Sequence, residues 1–557
     1  MSTVSDLPIQ PPLDKSQHDR SQDRHPVDPS RRAKTRQTAG KRPVVGSILK
    51  KALELRNTNA AAWQKLFPRK DPAKAQDREL KKLLTKAADT AFGEKYGFRR
   101  LLKNPRLREE FARVVPTFDY DKMFDQWWHR CLQGDTFVSW PGKIKYFALS
   151  SGTSGAASKY IPVSGDMVRT IRKTSIREIF SLVKYGFPNE LYEKEALMLG
   201  GSTQLQYNGT YYAGDLSGIT TGNLPLWFDR FYRPGKKISR ERDWQTKIEE
   251  IAQKAPEWDI AAIVGVPAWF QILFQKIIER YHLQTIHDIW PNLRIFVHGG
   301  VSFDPYRKSF EKLLARPLAY METYLASEGF LALQTRPDTN AMELVLDNGI
   351  FFEFVPFNDA NFNPDDGSMV ENPETLFIDQ IEENKEYAIL ISTCSGAWRY
   401  LIGDTVKLVD KSRNEIIITG RTKSFLSICG EHLSVDNMNQ AIRMLGESEN
   451  NGILEYTVIG IKSNGMFGHK WYLGCERPLD PEVAAAKIDS YLKELNDDYK
   501  TERLEAIREV SVEVLPLQVF YDYMRLQGKE GAQNKFPRVL RGQKAEEWLG
   551  FLDSIGK

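Results

Sequence analysis

Cysteine is scarce in this chain of 557 residues: Cys131, Cys394, Cys429 and Cys475 lie far apart and no C-x-x-C pair occurs. That spacing argues against a disulfide scaffold and a zinc site, and fits a reducing cytosol. Long apolar runs are lacking too. None approaches the ~18 residues that cross a bilayer, and the N-terminus has no apolar core of a secretory signal. A cytoplasmic protein with no membrane partner is expected. An excess of one charge is also missing from the body. Residues 1–45 hold nine Lys/Arg against five Asp, which accounts for the whole net charge of +4. The neutral remainder offers no electrostatic footprint for nucleic acid, so none is expected as a partner. No internal repeat is found.

What is present falls into three stretches. Residues 1–45 are polar, with six prolines, and cannot bury enough apolar surface to offset ordering entropy, so a disordered basic tail is expected. From Ser47 helical spacing begins, with Leu49, Ala52, Leu53 and Leu55, then Leu80, Leu83, Leu84, Ala87 and Ala91. Beyond Lys145 strands and helices alternate. Ile260–Val264, Leu293–Val297, Leu318–Tyr324, Ile350–Val355 and Tyr387–Ile391 read as strands, and Pro267 opens an apolar helix to Tyr281. Thr405–Val409 and Glu415–Thr419 flank a polar turn and read as a hairpin. After Gly420 the style changes. Strands at Tyr456–Ile461, Trp471–Cys475 and Val510–Leu515 surround a helix capped by Asp480, with Pro481 at its first position and a stripe of Ala484, Ile488, Tyr491, Leu492 and Leu495. The fold class expected is α/β: a large N-terminal domain of β-sheets layered with helices over 46–422, and a smaller α+β C-terminal domain over 423–557.

Five segments carry chemistry. In Phe147-Ala-Leu-Ser150-Ser151-Gly152-Thr153-Ser154-Gly-Ala-Ala-Ser-Lys159, a short strand runs into a loop of small residues. Backbone N–H groups and hydroxyls of such a loop can surround a polyphosphate, and Lys159 adds a point charge. It is not a Walker loop, because no lysine directly follows the second glycine. Met321-Glu-Thr-Tyr324-Leu-Ala-Ser327-Glu328 supplies an aromatic to stack on a base, a hydroxyl and a carboxylate for magnesium on phosphate. Trp398-Arg-Tyr-Leu-Ile-Gly-Asp404 places a carboxylate after a glycine at the start of a strand, where it can accept from both hydroxyls of a ribose. Thr419-Gly420-Arg421 sits where the style changes. Gly420 suits a hinge, and Arg421 can reach ribose or phosphate. Gln533-Asn-Lys535-Phe-Pro-Arg538 offers a lysine able to swing onto a reacting carboxylate. Each segment alone also reads plainly as a turn, a core aromatic or a solvated loop.

Together, in this order, the segments resemble the auxin-responsive Gretchen Hagen family of acyl acid amido synthetases, of the acyl-adenylate-forming superfamily. Ser150–Lys159 is similar to the family's phosphate motif and has its length. Tyr324–Glu328 resembles Tyr-x-x-Ser-Glu. Arg399–Asp404 resembles the Tyr-Arg-x-x-Asp type, with Trp398 and Leu401 departing from the plant form. Asn534–Arg538 resembles the late Tyr-Lys-x-Pro-Arg, with Asn in place of Tyr. Phe296–Phe303 looks closer to bacterial than to plant members. The resemblance spans about residues 47–557.

The resemblance implies ATP and Mg2+ as cofactors, and a small-molecule carboxylic acid and an amine, with an amino acid as the expected acceptor, as partners. Attack of the acid on the α-phosphate of ATP makes an acyl adenylate, and the amine then displaces AMP to give an amide. It implies Lys159 and Lys535 as the reacting lysines. Ser150, Ser151, Gly152, Thr153, Ser154, Tyr324, Ser327, Asp404 and Arg421 would hold the nucleotide, and Glu328 the metal. It implies a mobile C-terminal domain with its pivot at Gly420–Ser424. An acyl-CoA ligase with a thiol acceptor and a non-catalytic nucleotide-binding protein remain open alternatives.

Overall fold

The computed structural model describes residues 71–557 apart from 151–158, 226–227, 300–302, 364–366, 423–425, 427–432, 464–465, 497–498, 501–502, 504–506 and 528–535. The tail over 1–45 and the helical pattern at Leu49–Leu55 lie outside the described residues.

The first described helix, Pro72–Ala87, has proline in its first turn and an Asp71 carboxylate accepting from Lys74 N–H. Its stripe of Leu80, Leu83, Leu84 and Ala87 is buried, as the spacing requires. Ala91 does not continue that stripe. Thr90 caps a new short helix, Ala91–Lys95, by accepting from Gly93 N–H. A Cβ on Gly93 would stand 2.1 Å from the Ala87 carbonyl oxygen, so the break is as tight as glycine allows.

Two sheets build the larger part of the chain. The smaller has β1 (Tyr146–Ser150), β2 (Lys159–Val163), β4 (Gln206–Tyr207) and β5 (Tyr212–Gly214) in the order β2-β1-β5-β4. The pair β1–β2 is antiparallel and closes on Ser150 opposite Lys159, while β5 runs parallel to β1. The larger sheet has eleven strands. One half is parallel: β6 (Tyr232–Arg233), β3 (Glu195–Leu199), β7 (Ile260–Gly265), β8 (Ile295–Gly299) and β9 (Ala319–Ala326). The other half is antiparallel: β10 (Gly329–Leu333), β11 (Met342–Leu344), β15 (Glu415–Arg421), β14 (Tyr400–Asp410), β13 (Glu386–Thr393) and β12 (Ile350–Pro356). The helix Pro267–Tyr281 connects β7 to β8 and buries Phe270, Leu273, Phe274 and Ile277 against the parallel half. The β14–β15 hairpin forms as its polar turn predicts.

A third sheet, β18 (Ile507–Pro516), β17 (Met466–Cys475), β16 (Ile453–Ser463) and β19 (Val539–Leu540), lies near the C-terminus. Its period-two alternation sends Trp471 and Leu473 to one core and Tyr472 to another. Helices Val435–Ser448 and Pro481–Leu495 cover the first face; Leu517–Leu526 and Gln543–Ser554 cover the second. Asp480 caps the Pro481 helix by accepting from Glu482 and Val483 N–H. Ala484, Ile488 and Leu492 of its stripe are buried, and Tyr491 and Leu495 form the rim. The chain is therefore the α/β protein with a distinct α+β C-terminal part that its pattern announces.

Candidate active site

The parallel and antiparallel halves of the large sheet meet at the tight turn from β9 to β10, which carries Ser327 and Glu328. Tyr324 lies on β9 and Asp404 on β14, four strand positions away. In a flat sheet that is about 19 Å. Yet the Tyr324 hydroxyl donates to Asp404 Oδ2 at 2.5 Å, so the sheet curls until its two halves face each other. Arg421, opposite Asp404 in the β14–β15 ladder, pairs through Nε with Asp404 Oδ1 at 2.9 Å. Asp404 stands within β14, which begins at Tyr400, rather than at the start of a strand. The apolar run Tyr400-Leu-Ile402 extends the ladder, and Gly403 takes φ +88° just before the carboxylate.

Glu328 completes this corner. Burial first, then the Asp404 charge, pushes its carboxyl up to about 7, while Arg421 and Lys159 act in the opposite direction. The buried Tyr400 phenol lies beside it, and burial, helped by the Glu328 charge, raises the Tyr400 pKa. Among the described residues no cluster of three His, Cys, Asp or Glu side chains could hold a metal ion. A half-buried carboxylate still fits magnesium that arrives with phosphate oxygens, since that ion commonly uses one or two carboxylates and substrate phosphate.

Lys159 faces the same corner, where its charge is felt at Glu328. Its ammonium lies 5.1 Å from the centroid of the Tyr120 ring, and the Tyr120 hydroxyl accepts from Tyr160 N–H at 2.9 Å. Ser150 pairs with Lys159 at the end of the β1–β2 hairpin. Ser151, Gly152, Thr153 and Ser154 lie outside the described residues, as do Lys535 and, in the expected pivot, Lys423 and Ser424. The chain just after Lys535 is anchored: Phe536 is buried against Phe520, Tyr523 and Trp548, and Arg538 pairs with Glu455 at 2.6 Å. Gly420 is an ordinary member of β15 opposite Thr405.

Two residues take a different place from the one their motif suggests. Tyr324 is 5 % exposed, which leaves little ring face for a base, and its hydroxyl is bound to Asp404. Arg399 belongs to the interior. All five of its donors are used, on both oxygens of the buried Glu353, on Ala112 and Val115 carbonyls and on the Thr375 hydroxyl. His298 is enclosed by Phe296, Phe303 and Tyr320. Burial, helped by Arg307, brings its pKa down to about 3, which makes it a weak base. Sequence reasoning missed Tyr120 and Tyr400, for no local pattern separates them from the many core aromatics.

Three family models match the chain in order: the GH3 family N-terminal domain over 68–204 and 191–317, the GH3 family central domain over 343–415, and the GH3 family C-terminal domain over 436–544. The chain belongs to the GH3 family. Among curated GH3 relatives, the indole-3-acetic acid-amido synthetase GH3.3 of Arabidopsis thaliana is 25 % identical over 84 % of this chain and 89 % of its own length. The jasmonoyl–L-amino acid synthetase JAR4 of Nicotiana attenuata is 23 % identical over 61 % of this chain and 67 % of its own. Of solved structures, the AtGH3.15 acyl acid amido synthetase in complex with 2,4-DB matches with a TM-score of 0.70 at 16 % identity, covering 92 % of this chain and 97 % of that one. A 2-hydroxyisobutyryl-CoA ligase in the postadenylation state matches with a TM-score of 0.55 at 12 % identity, over 87 % and 92 %. The fold of this GH3 protein is thus that of adenylate-forming enzymes.

Proposed function

We propose that this GH3 protein uses ATP to turn a carboxylic acid into an acyl adenylate, releasing pyrophosphate, and passes the acyl group to an amine, an amino acid, forming an amide. The observation that carries the reading is the corner where Lys159, Glu328, Asp404 and Arg421 converge from β2, the β9–β10 turn, β14 and β15. It combines cations for phosphate with a carboxylate suited to a ribose diol, inside a family whose curated relatives are amido synthetases.

A carboxylate is a poor electrophile for an amine because oxide is a poor leaving group; AMP leaves readily. In this reading Asp404, its two oxygens fixed by Tyr324 and Arg421, uses its remaining lone pairs for the ribose hydroxyls. Tyr324 is a positioning residue for that clasp. Arg421, Lys159 and the Ser150–Ser154 segment offset charge on the phosphates. Glu328 would hold magnesium, which supplies further neutralisation of the triphosphate and the incoming carboxylate. Lys535 would bridge phosphate and acid during adenylation. The division into a 46–422 body and a 423–557 domain that turns between half-reactions belongs to the same proposal, with Gly420–Ser424 as the pivot.

Full-length protein supplied with ATP, Mg2+, hydroxylamine and a panel of carboxylic acids tests it. Acid-dependent pyrophosphate release with hydroxamate formation is expected, lost in Lys159→Ala and Lys535→Ala. ATP binding without pyrophosphate from any acid would overturn it. A thioester made from added CoA in place of an amide would move the acceptor to a thiol.

A further inference from the structure

Apart from the adenylation corner, the chain encloses a cavity at the far end of β2 from Lys159, between the helices Pro72–Ala87 and Gly165–Ser181. Lys159 opens β2, and Ser164 follows its end, roughly 16 Å along the strand. Ser164 caps the second helix by accepting from Met167 N–H, and its hydroxyl donates to the Cys394 carbonyl at 2.6 Å. The cavity measures about 150 Å3 and shares no lining residue with the corner. Native cores leave few voids larger than one water, and a space of this size admits a single benzene-sized ring.

The inner wall is apolar. Leu83, Trp140 and Cys394 line it, each at most 4 % exposed. Thr170 and Gly349 complete it. A Cβ at Gly349 would stand 2.8 Å from Cys394 Sγ and 2.9 Å from Thr170 Cγ2, so only glycine lets those two side chains close the wall. Burial pushes the Cys394 thiol up to about 12, which makes it a small hydrophobe here rather than a nucleophile.

The outer rim is charged unevenly, with Lys82, Lys86 and Arg169 against Glu79 and Asp166. Both carboxylates are engaged by the protein itself. Glu79 Oε1 accepts from Gly349 N–H at 2.9 Å and from the Lys82 ammonium at 3.1 Å. Asp166 Oδ2 accepts from Lys86 and, at 3.1 Å, from Trp140 Nε1, while Oδ1 pairs with Arg169 Nη2 at 2.8 Å. Three cations thus share two carboxylates. Arg169 uses one nitrogen in its pair, and the rest of its planar fork matches a further carboxylate. An apolar wall of ring size beneath an excess of positive charge is complementary to an aromatic acid.

We infer that this cavity binds a small aromatic carboxylate, its ring against Leu83, Trp140 and Cys394 and its carboxylate on Arg169, with Lys82 and Lys86 adding to the field. The site lies apart from the corner, so the inference stands whether or not the amide-forming reading holds.

The test titrates benzoate and its uncharged counterpart, benzyl alcohol, into the full-length protein by calorimetry. The wild type should bind benzoate at least tenfold more tightly than the alcohol. Arg169→Gln should weaken benzoate about tenfold and leave the alcohol unchanged. Arg172→Gln, the same change of charge at an exposed position of the same helix, should alter neither. Thr170→Leu fills the cavity and should weaken both ligands at least tenfold. Leu83→Phe does the same from the opposite helix, so a folding failure of one variant leaves the other to decide. In crystals soaked with para-bromobenzoate, the anomalous signal of bromine should lie between Leu83 and Trp140. Benzoate affinity that stays at the wild-type value in Arg169→Gln and in the folded cavity-filling variants overturns the inference. So does a bromine signal at the Lys159 corner alone. An equal loss in Arg172→Gln and Arg169→Gln also overturns it, because the effect then belongs to net charge and not to a site.

Discussion

Strand β14 and the residue just before it carry two arginine–carboxylate pairs that could hardly differ more. At its beginning, Arg399 and Glu353 have side chains 6 % and 1 % exposed, and every donor of the guanidinium is occupied. Near its middle, Asp404 and Arg421 are 17 % and 42 % exposed. There the carboxylate has capacity left, and the arginine makes one ion pair and one 3.4 Å contact with the Ile402 carbonyl. The first pair is complete and ties Glu353 of β12 to the segment around Ala112 and Val115. The second is incomplete and open on one side. Motif matching treats both arginines alike; saturation of their hydrogen bonds separates a fastening from a binding site.

The sharpest way to break this comparison is to exchange the expected effects. Arg399→Met leaves the Glu353 carboxylate buried and alone, which should cost about 3–5 kcal/mol of stability, read by urea unfolding. A loss below about 1 kcal/mol would remove the distinction. Asp404→Ala should cost less, about 1–3 kcal/mol, because Arg421 is partly exposed and only the buried Tyr324 hydroxyl is left without its acceptor. It should weaken ATP by roughly 2–3 kcal/mol, or about 30- to 150-fold, in calorimetric titration; an unchanged dissociation constant would move the ribose site elsewhere. The third concerns Glu328 and is read as a slope with pH. Its folded pKa of about 7 lies above the unfolded value near 4.5. Between those values the folded protein holds a proton that the unfolded chain has released, so the contribution of Glu328 to stability falls as pH rises from ~4.5 to ~7 and then levels. Glu328→Gln should flatten that fall in unfolding experiments across the window. An identical slope would mean that the carboxyl ionises freely.

Much of this was legible beforehand where one local signal decides. The Asp480–Pro481 start, the polar turn between β14 and β15 and the Leu80–Leu84 stripe each follow from capping, turn chemistry or period alone. The candidate corner was legible as a set of segments, because small hydroxyls, glycines and isolated charges stand out against apolar strands. What was not legible is assembly over distance. Nothing near Tyr324 says that its hydroxyl meets a carboxylate 80 residues on, nor does anything near Arg399 say that Glu353 and two carbonyls wait for it. Spacing alone carries the preceding stripe on to Ala91, and Thr90 overrides that spacing with a cap.

The curl that brings β9 against β14 also sets a timetable. Lys159 leaves the ribosome roughly 260 residues before Arg421, a gap of about 13–50 s at ~5–20 residues per second. Throughout that interval the ribose clasp proposed for Asp404 is incomplete. On that proposal the emerging chain relies on its own apolar packing, without nucleotide, until the last wall arrives.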